Sequence, residues 1–354
     1  MIDQPRPLLS RVADAAYWMA RYIERAENVA RFIGVNLHLQ LDLPQERPNQ
    51  WQPLVDASGD AAEFEKRYGE ATQDSVIKFM VLDPANLNSI CSCLRAAREN
   101  ARSIRETISS EMWEQINRIF LDVQHTDVRL PEREWLPELL REIRLECHSF
   151  QGVADATMSH NEAWHFMQLG RRLERADKLS RILDVKYFML LPSLNFVGTP
   201  YDDLHWSAVL KSVSGLEMYR KKYGKFSPRN IVEFLVLDHE FPRAVRHCIR
   251  GADESLRSIT GTPIGAFRCR SEQLMGLLRA DLDFTAVQRV LADGLHEYLD
   301  GLQVKMNAIG DTLSSEFFAW RRQQQPTVTA GALPLMHGPL PDLEGKIVKA
   351  KQSA

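Results

Sequence analysis

Arg21-Tyr22-Ile23-Glu24-Arg25-Ala26-Glu27-Asn28-Val29-Ala30-Arg31 is answered 150 residues later by Arg171-Arg172-Leu173-Glu174-Arg175-Ala176-Asp177-Lys178-Leu179-Ser180-Arg181. The correspondence then continues at an offset of 155. Trp51 meets Trp206, Tyr68-Gly69 meets Tyr223-Gly224, and Val81-Leu82-Asp83 meets Val236-Leu237-Asp238. Further on, Cys93, Arg95, Glu99, Arg102 and Ile104 meet Cys248, Arg250, Glu254, Arg257 and Ile259. Matches in this number, with one small length change, predict an internal duplication of a unit of about 150 residues, itself the size of a domain. The expected fold is all-α: a duplicated helical bundle, two similar units packed as one body. Their expected bounds are 8–157 and 158–322, followed by a flexible tail over 323–354 that is rich in Pro, Gly and small residues.

Both copies keep charge as well as an apolar frame. At about 100° per residue, Arg21, Glu24, Arg25, Asn28 and Arg31 share one stripe, while Trp18, Tyr22, Ala26, Val29 and Ile33 form a separate apolar face. Neighbours at i+3 and i+4 place Arg21 beside Glu24 and Arg25, and Glu24 beside Asn28. Duplicated apolar patterning alone would call for two similar bundles; duplicated charge calls for a second explanation.

Composition sets the class. The chain has 354 residues, 44% hydrophobic and 26% charged, enough to bury a large core. No apolar run is long enough to cross a bilayer, and the opening Met1-Ile2-Asp3-Gln4-Pro5 lacks the order of a signal peptide, so the expected location is the cytoplasm, without membrane contact. Five cysteines without zinc spacing read as reduced thiols. A net charge of −3 argues against a nucleic-acid partner, whose binding rests on a basic surface. Lys221-Lys222-Tyr223-Gly224-Lys225 reads as a basic helix end.

Helical patterns fill the chain. The first runs from Ser10 to Leu41, and a short one over 53–68 ends at Tyr68-Gly69. Asp83-Pro84 reads as an N-cap with proline at the first helical position, opening a helix to Ser110. Helices over 111–122 and 132–157 follow, and Ser159 with Glu162 has capping-box spacing at the head of the second repeated helix. After a Pro/Gly loop at 192–200 come helices over 203–222, 228–236, 239–259, 270–281 and 284–322.

Leu9-Ser10-Arg11-Val12-Ala13-Asp14, Tyr17-Trp18-Met19 and Arg21-Tyr22-Ile23-Glu24-Arg25-Ala26-Glu27-Asn28 together resemble the Alpha-E family, bacterial all-helical proteins named for a Glu-Arg motif. Leu82-Asp83-Pro84-Ala85-Asn86, Arg98-Glu99-Asn100-Ala101-Arg102, Trp113-Glu114-Gln115-Ile116-Asn117 and Gly294-Leu295-His296-Glu297-Tyr298-Leu299-Asp300 are similar to further blocks of that family, over residues 8–322 in all. Leu87 departs from the pattern, which has proline there. The resemblance implies a circularly permuted ATP-grasp protein as partner, with transglutaminase-like or peptidase proteins nearby, and hence a system that makes or modifies peptides by amide-bond ligation. In such a system the ATP-grasp partner activates the carboxylate, and the helical protein is an accessory with no cofactor of its own.

The charged stripes admit two readings. In one, arginines and glutamates pair across neighbouring helices, for instance with Glu99 and Glu106, and set helix register. In the other, Arg21, Arg25, Arg31, Arg171, Arg175 and Arg181, together with Arg98, Glu99, Arg102 and Arg257, line a cleft for a carboxylate or phosphate. The competing classes are an independent enzyme, with Glu24 or Glu174 as acid or base, and a pure scaffold for the ligase. Glu162 and His165 have di-iron bundle spacing, but the aligned Val12 and Ala15 cannot ligate, so no metal site is expected. Phosphate loops, His-Glu-x-x-His and Gly-x-Ser-x-Gly are absent.

Overall fold

Two long helices cross at the centre: α1 (Ser10–Asp42) and, in the later part of the chain, α8 (Glu162–Leu190). The computed structural model describes residues 8–42, 50–125, 135–190 and 200–319, and among these all regular structure is helical. Between the long helices run α2 (Gln52–Ser58), α3 (Ala61–Tyr68), α4 (Gln73–Ile77), a π-helical turn (Lys78–Leu82), α5 (Ile90–Ser103), α6 (Ser110–His125) and α7 (Trp135–Thr157). After α8 come α9 (Pro200–Ser212), α10 (Leu216–Tyr223), α11 (Pro228–Val232), a second π-helical turn (Glu233–Leu237) and α12 (Val245–Thr260). The described part closes with α13 (Arg270–Phe284), α14 (Val287–Ala292) and α15 (Leu295–Phe317). None of these helices is long and apolar enough to cross a membrane.

The bounds of α3, α4 and the first π turn reappear 155 residues on as α10, α11 and the second π turn, and α7 and α15 are both 23 residues long. Packing follows the same pairing. α1 lies against α5 and α7, while α8 lies against α12 and α15. Two contacts are crossed: α2 packs on α8, and α9 packs on α1. A single hydrophobic core runs through all of it.

α1 is enclosed on nearly every side, and its alanines explain how. Ala15, Ala16, Ala20, Ala26 and Ala30 are all buried, so neighbouring backbones can come close without losing helix propensity. On α8, Gly170 faces the Tyr17 carbonyl of α1; a Cβ there would lie 2.4 Å from that oxygen. The long helices thus meet at a point that admits no side chain.

Several expected boundaries move. The helix expected from Asp83-Pro84 begins at Ile90, because Asp83 Oδ1 accepts the Ala85 N–H at 2.9 Å and holds a turn, and Ser89 caps instead by accepting the Ser92 N–H. At the head of α8 the expected capping box does not form: Glu162 accepts the Leu8 N–H at 2.9 Å, and Asn161 caps through Ala163 and Trp164. The helix expected over 53–68 breaks at Gly59 (φ 85°), and the one over 284–322 breaks before Gly294 (φ 93°), both left-handed conformations suited to glycine. The loop expected at 192–200, apart from Pro200, and the tail from Gln323 lie outside the described residues.

Candidate functional site: a reciprocal arginine–glutamate clasp

At the crossing of α1 and α8 the two repeated stretches exchange partners. Arg25 grips Glu174 through Nε to Oε1 at 2.6 Å and Nη2 to Oε2 at 3.0 Å. Arg175 grips Glu24 in the same way, Nε to Oε1 at 2.7 Å and Nη2 to Oε2 at 2.8 Å. These are two fork-to-fork pairs, the geometry in which arginine surpasses lysine. Glu24 and Glu174 are fully buried. The acids expected on α5 play no part: Glu99 pairs on the surface with Arg98 and Arg102 of its own helix, and Glu106 is exposed.

Each glutamate gathers further donors. Arg21 adds a second cation to Glu174 at 2.8 Å. Glu24 also accepts Gln151 at 3.1 Å and, at 3.4 Å, Arg243 from the segment just before α12. Arg243 reaches Glu27 at 3.0 Å, and Glu27 also holds Arg31, one turn on, and His148 at 3.2 Å. On α8 Asp177 holds Arg181, with both oxygens at 3.0 Å from Nε. The two surroundings are not identical but compensate. Where the stretch on α1 has Asn28 the matching stretch on α8 has Lys178, and the position matching Arg243 holds Asn88, which accepts from Arg25 and donates to Asp60 at 2.9 Å.

Burial alone would raise the Glu174 carboxyl, but the charges of Arg25 and Arg21 outweigh it and hold the group well below the usual carboxylate range. Glu24 is lowered too, its burial offset by Arg175 and Arg243, and Glu27 is held well below the usual range, its burial outweighed chiefly by Arg243. All three stay ionised, closed from solvent and saturated with donors. Removing either partner of such a pair strands a buried charge at a cost of about 3–5 kcal/mol, so a one-turn slip of α1 along α8 is strongly disfavoured. The clasp sets register.

Arg171 is the exception among the repeated arginines. It donates to Gln151 at 3.3 Å and to Gln168, meets no carboxylate within ion-pair distance among the described residues, and its Nε is unpaired. Burial, then the neighbouring Arg175 charge, brings its pKa down to about 10. Of the other expected residues, Arg98, Glu99 and Arg102 lie on the outer face of α5, with Arg98 over the Trp113 ring. Arg257 is tied to Asp253 and to the carbonyls of Pro263 and Ala266. Neither group joins the clasp. No cluster of three or more His, Cys, Asp or Glu suited to a metal occurs among the described residues.

Arg243, Lys178 and Asn88 were not singled out by sequence reasoning. Their signal was present in the matching stretches, as two positions, 28/178 and 88/243, where one residue is a cation and the other asparagine.

Residues 8–318 match the model of the Alpha-E family, described as a predicted alpha-helical domain with a conserved ER motif. The Glu-Arg dipeptides at 24–25 and 174–175 fit that description. An uncharacterized protein of Mycobacterium bovis is 23% identical over 343 residues, covering 89% of this chain and 38% of that protein. Two uncharacterized Mycobacterium tuberculosis proteins, from strains CDC 1551 and H37Rv, are 23% and 22% identical over the same length. The chain therefore spans about 38% of the length of the curated relatives it matches. No solved structure matches it.

Proposed function

The chain belongs to the Alpha-E family, and from that premise we propose that it is an accessory helical protein of an ATP-grasp-dependent system forming peptide or amide bonds. The observation that carries the reading is the relatives' length. A unit that makes up 38% of a longer chain works beside other domains, and a circularly permuted ATP-grasp protein is the partner that the family resemblance implies. Transglutaminase-like or peptidase proteins fit as further members. In this reading two units, 8–157 and 158–322, arose by duplication, which the recurrence of elements at 155 residues supports. Their shared work is to present a carboxylate or phosphate beside the arginines, so that catalysis gains from orientation.

A scaffold role is the second reading, favoured by the saturation of Glu24 and Glu174, which leaves neither carboxylate open to a substrate. The test is reconstitution of the purified chain with a circularly permuted ATP-grasp protein from the same organism. Co-elution and a change in the partner's ATP turnover are expected. Full ligation with this chain omitted would defeat the accessory role, and product formed by this chain alone would make it an enzyme.

A further inference from the structure

Where α1, α7 and α8 meet lies a small recess. Ile23, Phe150 and Met167 give it apolar walls, one from each helix, and Gln151, Gln168 and Arg171 give it a polar lining. Its cavity volume is about 20 Å³, room for a single water or a monatomic ion. A carboxylate or phosphate group is too large for it.

Donors are in surplus there. One Nη of Arg171 goes to Gln151 Oε1 at 3.3 Å and the other to Gln168 Oε1, while Nε, shut off from solvent, has no partner among the described residues. The amide nitrogens of the same glutamines each donate to a carboxylate, Gln151 to Glu24 at 3.1 Å and Gln168 to Asp155 at 3.2 Å, with a second N–H to spare. Charge is unbalanced as well. Glu24 and Asp155 act on Arg171 only from beyond ion-pair distance, whereas Arg172 and Arg175 add like charge. With a pKa of about 10 the guanidinium is still protonated at neutral pH, and a half-buried cation without a counter-ion is costly.

The matching stretch on α1 shows what Arg171 lacks. Arg21, at the corresponding position, gives its Nε to Glu174 at 2.8 Å and its Nη1 to the Tyr17 hydroxyl at 3.1 Å. Neither partner recurs around Arg171. The carboxylate that corresponds to Glu174 is Glu24, already filled by Arg175, Arg243, Asn28 and Gln151. The residue that corresponds to Tyr17 is Met167, which lines the recess with neither ring nor hydroxyl. The cation is kept and both of its acceptors are missing.

We propose that the recess beside Arg171 binds a single halide ion, chloride under physiological conditions, on the Arg171 Nε–H, with the spare amide N–H groups of Gln151 and Gln168 in the same wall. A water there would accept from Nε but leave the charge unanswered; a halide does both. The apolar walls of Phe150 and Met167 also suit a weakly hydrated, polarisable ion. It does for Arg171 what a Glu174 oxygen does for Arg21, and joins Glu24, Glu27 and Glu174 as an anion among the arginines of the crossing. The site stands apart from the accessory reading: it takes no substrate group, and its failure would leave that reading where it was.

The test is the chlorine NMR linewidth of the full chain in sodium chloride, with bromide, acetate and inorganic phosphate as competitors, together with anomalous diffraction from crystals soaked in bromide. A saturable excess linewidth is expected, displaced by bromide but not by acetate or phosphate at equal concentration, and the bromide peak should lie in the recess at Arg171. Arg171→Gln should weaken chloride binding by at least about tenfold, the scale of one lost charge-assisted hydrogen bond. Met167→Tyr, which supplies the ring and hydroxyl found beside Arg21, should fill the recess and abolish binding while the Arg171 charge stays, so the test holds even where Arg171→Gln perturbs folding. Arg289→Gln, in an exposed pair with Asp293, should change nothing. A recess without a bromide peak would overturn the assignment. So would acetate displacing chloride as well as bromide does, or chloride affinity unchanged in Arg171→Gln or Met167→Tyr.

Discussion

Replacing Glu174 by glutamine is the sharpest trial of the clasp. The amide has nearly the same volume, so packing is preserved, but the charge that answers both Arg21 and Arg25 is gone. One carboxylate oxygen that accepts from them at 2.8–3.0 Å, or the other at 2.6 Å, is replaced by an NH₂ that opposes donor to donor. Two buried guanidiniums then lose their counter-charge, with Lys178 close by. The expected loss is about 3–5 kcal/mol, or about 4–7 °C in melting temperature for a chain of this length. Glu99→Gln, which touches exposed pairs with Arg98 and Arg102, should cost under about 1 kcal/mol. The pH dependence supplies an independent readout. The folded-state pKa of Glu174 lies below its unfolded value, so its contribution is fully present above the unfolded glutamate pKa of about 4.3 and is lost as pH falls from there through the folded value. Urea unfolding of wild type at pH 7, 5 and 3.5 should show stability declining at the lowest pH, and Glu174→Gln should lack its share of that decline. A variant that melts within about 0.5 kcal/mol of wild type, or keeps the whole acid slope, would refute the reasoning.

Two further outcomes are expected. Gly170→Ala should destabilise by several kcal/mol, because its Cβ would press on the Tyr17 carbonyl at 2.4 Å, whereas Gly152→Ala in α7, with nothing within 4 Å, should gain up to about 1 kcal/mol from helix propensity; paired thermal melts decide it. Thiol titration of native protein at pH 8 should leave Cys93, Cys147 and Cys248 unreacted until denaturant is added, since all three are fully buried and burial pushes the Cys93 and Cys248 thiols up to about 12 and about 11. Rapid native labelling of those three would count against the packing of α5, α7 and α12.

The helical class was legible because α1 separates a charged stripe from an apolar face at helical spacing, and its pattern recurs in α8. The paired blocks put the two Glu-Arg stretches at equivalent places but did not say that they would face each other. What could not be read was who holds whom. Helical spacing offers Arg21 a partner at Glu24, one turn away, yet Arg21 reaches Glu174, 153 residues distant, because the turn-to-turn neighbour is claimed by Arg175 from across the crossing. The expected acids on α5 failed for a related reason. Arg98, Glu99 and Arg102 satisfy one another within a single exposed turn, so nothing draws them inward. The Asp83-Pro84 boundary misled because aspartate stabilises a tight turn as readily as a helix start, and the choice depends on Ser89, six residues further on.

The exchange of partners has a consequence for how the protein is made. Glu24 leaves the ribosome 151 positions ahead of Arg175, an interval of roughly 8–30 s at elongation rates of about 5–20 residues per second. Throughout that time α1 can pack on α5 and α7 as they appear, but Glu24 and Arg25 lack Arg175 and Glu174, so the crossing is sealed late in synthesis. Tethering then favours closure within one chain through its high effective concentration. On a crowded polysome, however, α1 of one nascent chain and α8 of another present the same complementary forks, and exchanged dimers become the natural misassembly of this fold.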